Sequence, residues 1–368
     1  MANIYQYCID YFNDAPTIIQ LSWVLTAIFA VTLISLIFYL KFLRSTLRTK
    51  ERIQNVYLKK YESDLIEYLY SGNEDEEMTK EQGIIVNYLH KCAQNRLKRK
   101  LIITTLLKLR NEVSGETADA IKRLYYQTGL IDYGTLKLRS KKWEIVARGI
   151  KELAQFDVTE VHYNVIAQIN HPKKEVRREV QMYLVKLFHF KGLDFLDLLK
   201  SQLSEWDQIQ LLEILQNFDD QNLPSITKWL RSKNASVVLF ALKIAKIYNK
   251  YDAKDEIIKL LEHPEMNVRI DAIAVLSDLG VFEVVSLLKH NLNEKIIDEQ
   301  IAFFKMMENM YTPSDADFLF EHINHENFDI KISVNKIFKE MNIQDASKFQ
   351  INKTPESPPS STKLIQAS

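Results

Sequence analysis

Glycine and proline are scarce in this chain, eight of each among 368 residues, well under the roughly 7% and 5% of an average protein. A fold of short strands and tight turns needs more of both, so the chain is predicted to be mostly helix. Cysteine is scarcer still. Cys8 and Cys92 are too few for a disulfide framework or a four-thiolate zinc site. An excess charge of either sign is also missing: 48 Lys plus Arg stand against 48 Asp plus Glu, which argues against a surface built throughout to hold nucleic acid. No phosphate-cradling glycine loop and no Gly-x-Ser-x-Gly elbow is present, which removes two common catalytic signatures. What the chain does have is 46% hydrophobic residues, enough for a large core.

One stretch lacks charge altogether. Residues 18–40 (IIQLSWVLTAIFAVTLISLIFYL) form a run that, at about 1.5 Å per helical residue, matches a hydrocarbon core of about 30 Å. A transmembrane helix is expected over 17–41. Residues 1–16 carry Asp10 and Asp14 and no Lys or Arg, whereas Lys41, Arg44, Arg48, Lys50 and Arg52 follow the run as a juxtamembrane basic cluster. A cleaved signal peptide would show a basic start, a shorter apolar region and a small-residue cleavage site. Positive charge marks the cytoplasmic end, so the expected topology is single-pass in a plasma (inner) membrane, with a short extracytoplasmic segment over 1–16 and a cytoplasmic C-terminal domain. No Gly or Pro lies between Pro16 and Gly72, so residues 42–77 are expected to continue as a helical stalk ending in the acidic linker Glu74-Asp75-Glu76-Glu77. Ser22, Thr26 and Ala30 recur every four residues, a spacing that lets two membrane helices pair as a homo-oligomer or simply faces lipid.

Sliding the rest of the sequence on itself gives a period near 31, the mark of stacked repeats. Ser140, His171, Ser232, His263 and His325 set the register, 31, 61, 31 and 62 residues apart. Five residues on stand Ile145, Val176, Val237, Val268 and Ile330, and nine on Gly149, Val180, Ala241, Ala272 and Val334. Thirteen on come Leu153, Leu184, Ala245, Leu276 and Phe338; sixteen on, Phe156, Leu187, Tyr248, Leu279 and Met341. Steps of four, four and three trace one helix face, the predicted core. Two registers without a clear anchor, near Gln202 and Glu294, are filled by Leu211, Leu215 and Phe218 and by Phe303, Met307 and Met310. An apolar helix is expected upstream of each ladder, as at residues 158–169, 226–230, 256–261 and 317–323. Seven such hairpins over 136–343, each burying its apolar face against its neighbours, predict an all-α solenoid.

The segments His171-Pro172-x-x-x-Val176-Arg177, His263-Pro264-x-x-x-Val268-Arg269-x-x-Ala272 and His325-x-x-x-x-Ile330-Lys331 resemble HEAT repeats, especially the short form of about 31 residues similar to that of bilin lyases. The resemblance spans more than half of the chain and implies fold rather than chemistry. Residues 78–135 hold no clear copy of the ladder. Helices are legible there at about 81–92, 96–111 and 116–127, and the region is expected to be the helical N-terminal cap of the array. Residues 352–368 (NKTPESPPSSTKLIQAS) read as a disordered tail.

Lys91, Arg96, Lys98, Arg99, Lys100, Lys108 and Arg110 fall within twenty residues that contain no Asp or Glu. They form a candidate patch for anionic lipid or for an acidic protein partner, against the alternative of a merely solvated face. Among the histidines, His322 and His325 lie close to Glu326, but His171, His263 and His325 occupy the same inter-helix turn, where capping suits an imidazole better than metal ligation. Cys92 has cationic neighbours and no histidine partner, the pattern of a packed thiol. Trp143, Trp206 and Trp229 stand at or beside core positions. No metal, cofactor or nucleic acid is expected. The reading that follows is a non-catalytic, membrane-tethered scaffold or adaptor whose solenoid surface binds a protein partner. Bacterial membrane-tethered HEAT proteins that resemble this chain accompany envelope machinery, which implies an envelope or polysaccharide-synthesis assembly. The other class implied by the resemblance is an enzyme on the same scaffold, bilin-lyase-like or nucleic-acid-modifying.

Overall fold

The computed structural model describes residues 16–71, 78–218 and 223–341; the expected extracytoplasmic segment up to residue 15, the acidic linker from 72 and the tail over 352–368 lie outside them. Every regular element among the described residues is helical. The helices gather into two compact units, one taking the described residues up to Leu136 with Gln155–Asp157, the other Lys137–Ala154 and the described residues from Val158 on.

The first unit is dominated by α1, Thr17–Tyr70, 54 residues long and entered at Pro16. With no glycine or proline inside it, nothing in the sequence interrupts the ladder of backbone bonds. Nearly every residue from 16 to 53 is exposed. Farther on the helix changes role, because Tyr61, Leu65 and Tyr68 are 0, 1 and 3% exposed. Spaced by four and three, they face α2 (Lys80–Ala93), α3 (Arg96–Glu112) and α4 (Glu116–Gln127). Residues 42–77 are therefore not stalk throughout: the last turns of α1 are the first helix of the bundle expected only from 78 on. Tyr68 Oη donates to Gln127 Oε1 at 3.0 Å, and Gln82 Nε2 donates to the Tyr68 carbonyl at 3.0 Å. A capping box between Thr79 and Gln82 starts α2, and Asn95 Oδ1 caps α3 by accepting from Leu97 and Lys98 N–H. Gly129, at φ +69°, follows α4 in the left-handed region that stops a helix.

From α5 (Leu130–Lys137) the chain passes into seven long helices: α6 (Trp143–Gln155), α8 (Lys174–Phe188), α9 (Glu205–Leu215), α11 (Ala235–Ile247), α13 (Met266–Asp278), α15 (Ile297–Met310) and α17 (Phe328–Glu340). The upstream partners are shorter than the sequence suggests. They are α7 (His162–Ile166), α10 (Thr227–Leu230), α12 (Lys254–Lys259), α14 (Glu283–His290) and α16 (Ala316–Glu321), four to eight residues each and extended in places by 3₁₀ turns. Before α9 the partner is a ten-residue 3₁₀ segment, His189–Leu198, so close to α8 that a Cβ on Gly192 would collide with the Leu184 carbonyl. Apolar pattern alone does not separate a full α-helix from a few tight turns.

The ladder itself is core. Val176, Val180 and Leu184, then Val237, Ala241 and Ala245, then Val268, Ala272 and Leu276 are each at most 1% exposed. In the first repeat Val146 (2%) takes the place expected of Ile145, which is half-exposed. Trp229 is buried, but Trp206 is 58% exposed and lies outside the core. Ten residues past the register points, Ile150, Leu212, Leu242, Ile273 and Phe304 are buried between successive long helices, whereas the equivalent Asn335 is exposed, with Lys331 and Lys339 beside it.

Candidate functional site

The five register residues share one job. Nδ1 of His171, His263 and His325 accepts from the backbone N–H two residues on, at 3.0, 3.1 and 3.0 Å. Ser140 and Ser232 Oγ accept the equivalent bond at 3.1 and 3.2 Å. A side-chain acceptor thus begins each of these long helices, and the imidazoles are turn-formers with the proton on Nε2.

Six residues farther on stands a donor that reaches back. Arg177 Nη1 donates to the His171 and Pro172 carbonyls at 2.8 and 3.1 Å, and Arg269 Nη1 to those of His263 and Pro264 at 2.7 and 3.0 Å. In the two registers that lack an anchor the donor is glutamine: Gln208 Nε2 meets the Leu203 carbonyl at 3.2 Å, and Gln300 Nε2 that of Lys295 at 2.8 Å. At the far end of three long helices Asp157, Asn249 and Gly280 adopt positive φ. Next to them Val158, Lys250 and Val281 N–H close onto the Leu153, Ala245 and Leu276 carbonyls at 3.0, 2.9 and 3.1 Å, a repeated Schellman closure. Neither signal was read from the sequence, although a long donor six residues after the anchor and an Asp/Asn/Gly column seventeen after it are both there.

The candidate basic patch is only partly a patch. Lys91, Arg96 and Lys100 are exposed. Lys98 lies 5.4 Å from the Tyr57 ring centroid. Arg99 turns inward, donating to the Ala93 carbonyl at 2.8 Å and stacking 3.9 Å from the Tyr133 ring, the same reach over six residues as Arg177 and Arg269. Lys108 pairs with Glu62 at 3.0 Å, and Arg110 pairs with Asp157. Three of the seven cations therefore hold the bundle, and the outward charge narrows to Lys91, Arg96, Lys100 and, beside Tyr57, Lys98. Lys41, Arg44, Arg48, Lys50 and Arg52 are all exposed on α1. Steps of three and four put Lys41, Arg44, Arg48 and Arg52 along one side of the helix, with Lys50 opposite.

On the long helices of the second unit, ion pairs cross from repeat to repeat. Arg178 meets Asp207 at 2.6 Å, Lys246 meets Asp278 at 2.8 Å, and Arg269 meets Glu299 at 2.6 Å. Glu179 and Asp271, both eight residues past their anchors, are half-buried. Burial pushes each carboxyl above its ordinary range, against the opposing pull of Lys151 and Arg178 on the one and Lys243 on the other. Glu256 is the reverse case, lowered to about 2 by its bonds to Arg231 and Lys259. Cys92 is a free, buried thiol. His322 and His325 stack with centroids 6.1 Å apart, yet among the described residues no three His, Cys, Asp or Glu side chains gather as metal ligands.

No family model matches the chain, and no curated protein matches it. Among solved structures it is similar to an engineered protein at 14% identity and a TM-score of 0.35, over 76% of this chain and 88% of that one. It is also similar to the complex of CpcE and CpcF of phycocyanin lyase from Nostoc, at 14% identity and a TM-score of 0.24 over 73% and 92% of the two chains. A third likeness is to the TOG domain arrays of microtubule polymerases, at 12% identity and a TM-score of 0.22 over 78% and 82%. Scores this low carry no chemistry or partner across, and the repeat architecture stands on the chain's own geometry.

Proposed function

We propose that the chain is a non-catalytic scaffold of HEAT type that a single N-terminal helix holds at a bacterial plasma membrane, with the repeat array in the cytoplasm as the binding surface for a protein partner. The observation that carries this reading is the split character of α1. Its apolar run is exposed on every side, while Tyr61, Leu65 and Tyr68 near its other end are locked into a bundle. Exposed Leu25, Phe29 and Ile37 would be costly in water and are at home in lipid. The array adds side chains devoted to turns, clamps and repeat-to-repeat pairs, an arrangement suited to presenting a surface.

The same helix bears on the basic patch. From Lys41 to Tyr57, where Lys98 docks, α1 rises about 24 Å, well beyond headgroups only about 5–7 Å deep and a screening length of about 8 Å. With α1 upright, Arg96, Lys98 and Lys100 stand clear of the bilayer, which favours an acidic protein partner for them over lipid. An envelope or polysaccharide-synthesis assembly remains the setting proposed from the family resemblance.

The reading is tested by extracting membranes of the cell that makes the protein with alkaline carbonate. An integral anchor leaves the full chain in the pellet, and release into the supernatant would remove the tether from the account.

A further inference from the structure

Three consecutive long helices, α13, α15 and α17, pack side by side and expose apolar side chains in the same register. Three residues past each register point stand Met266, Ile297 and Phe328, 37, 43 and 72% exposed. Four residues on, on the same helix face, come Ile270, Ile301 and Ile332, the last 48% exposed and the other two half-buried. The result is an apolar row that crosses the helices rather than following one of them. With neighbouring axes about 8–10 Å apart it is about 20 Å long from Met266 to Phe328. The row is not a requirement of the repeat, because the residues equivalent to Met266 in the second and third repeats are Lys174 and Glu205.

One edge of the row is acidic. Glu265, Glu294, Asp298, Glu326 and Asp329 lie in the turns and first helical turns beside it, all exposed and, among the described residues, none in an ion pair. Of the cations nearest in sequence, Arg269 is committed to buried Glu299 and Lys295 to Glu262 at 3.0 Å, while exposed Lys331 is set by helical spacing on the other side of the Phe328–Ile332 line from Asp329. First-turn carboxylates such as Asp298 and Asp329 also suit the helix dipole. That accounts for neither the three acids in the turns nor the large apolar groups left in water beside them.

We infer that this row is a docking site for a cationic amphipathic helix of a partner protein, whose apolar side covers Met266, Ile297 and Phe328 while its Lys or Arg residues meet the five acids. A helix of about 14 residues spans the row, and both halves of the match, apolar anchors and complementary charge, are features by which helices are recognised in grooves. The inference rests on the scaffold reading above and names the chemistry of its partner.

The test uses the full chain in nanodiscs and two designed helical probes of about 14 residues with the same leucine stripe, one flanked by lysines and the other by glutamates. The lysine probe is expected to bind at least tenfold tighter. Ile297→Asn with Phe328→Asn should reduce its binding at least tenfold without unfolding the array, since both side chains are exposed and the change leaves the charge of the acidic edge as it is. Asp298→Lys with Asp329→Lys should shift the preference toward the glutamate probe. Equal binding of the two probes, or lysine-probe binding indifferent to the Ile297 and Phe328 changes, would overturn the inference. A photo-crosslinker at Phe328, with controls at exposed Tyr163 and Phe282, then separates this inference from the scaffold reading. Crosslinks in native membranes from Phe328 to a basic helical segment support it. Protein crosslinks only from the controls, or lipid crosslinks from Phe328, sink the row and leave the scaffold standing, and no protein crosslink at any of the three sinks both.

Discussion

Arg269 bonds its own turn and the next repeat at once: Nη1 holds the His263 carbonyl at 2.7 Å while Nε and Nη2 donate to Glu299 Oε1 at 2.8 and 2.6 Å. Glu299 is 3% exposed, so the guanidinium is what makes a buried carboxylate tolerable there. Arg269→Met is expected to destabilise the protein by about 3 kcal/mol, the lower end for breaking a buried pair because the arginine is part-exposed. The double change Arg269→Met with Glu299→Leu should recover most of that loss. Urea denaturation of the three variants measures it, and a double variant as weak as the single one would show that the turn bond, not the pair, carries the energy.

Leu276 and His263 belong to one repeat and differ in kind. Leu276 is fully buried, so Leu276→Ala should cost about 2–5 kcal/mol. His263 contributes one bond from Nδ1 at a turn, and His263→Ala should cost about 0.5–1.5 kcal/mol. Thermal denaturation distinguishes the two. A histidine variant that lost partner binding while keeping its melting temperature would give the turn a role that the geometry does not.

Glu179 and Asp271 set a pH dependence of definite sign. Their folded-state pKa values lie above the unfolded ones because of burial, so in the window between the two the native chain holds protons that the unfolded chain has released. Stability from these groups therefore falls as pH rises through that window and stays reduced at neutral pH. Asp271→Asn should raise the melting temperature at pH 7 by about 1–3 °C, and the difference from wild type should shrink below the window. A gap that widened on acidification would contradict the assignment.

The core of the array was legible because its signal is periodic: Val176, Val237 and Val268 recur at fixed steps and all are fully buried. The short upstream elements were harder, since a few apolar residues between turns fit a four-residue helix such as α10 as well as a longer one. Gln208 and Gln300 do not stand out in the sequence because the function kept in those registers is a hydrogen-bond reach, which a glutamine can make in place of an arginine. The basic patch misled in part because charge spacing does not say which cations turn inward, as Arg99 does toward Tyr133. In the bundle the pattern of Tyr61, Leu65 and Tyr68 was present, but the uninterrupted helix ahead of it hid the point where the stalk becomes core.

The orientation of the chain across the membrane is the claim on which the scaffold reading depends, and the two natural cysteines make it measurable. Cys8 precedes the apolar run of α1, and Cys92 is buried in the bundle beyond it. A membrane-impermeant maleimide added to right-side-out vesicles is expected to label Cys8 at once. A cysteine placed at exposed Phe328 (Phe328→Cys) should react only after the vesicles are opened. Labelling of Phe328→Cys from outside, or a Cys8 protected until lysis, would contradict the account.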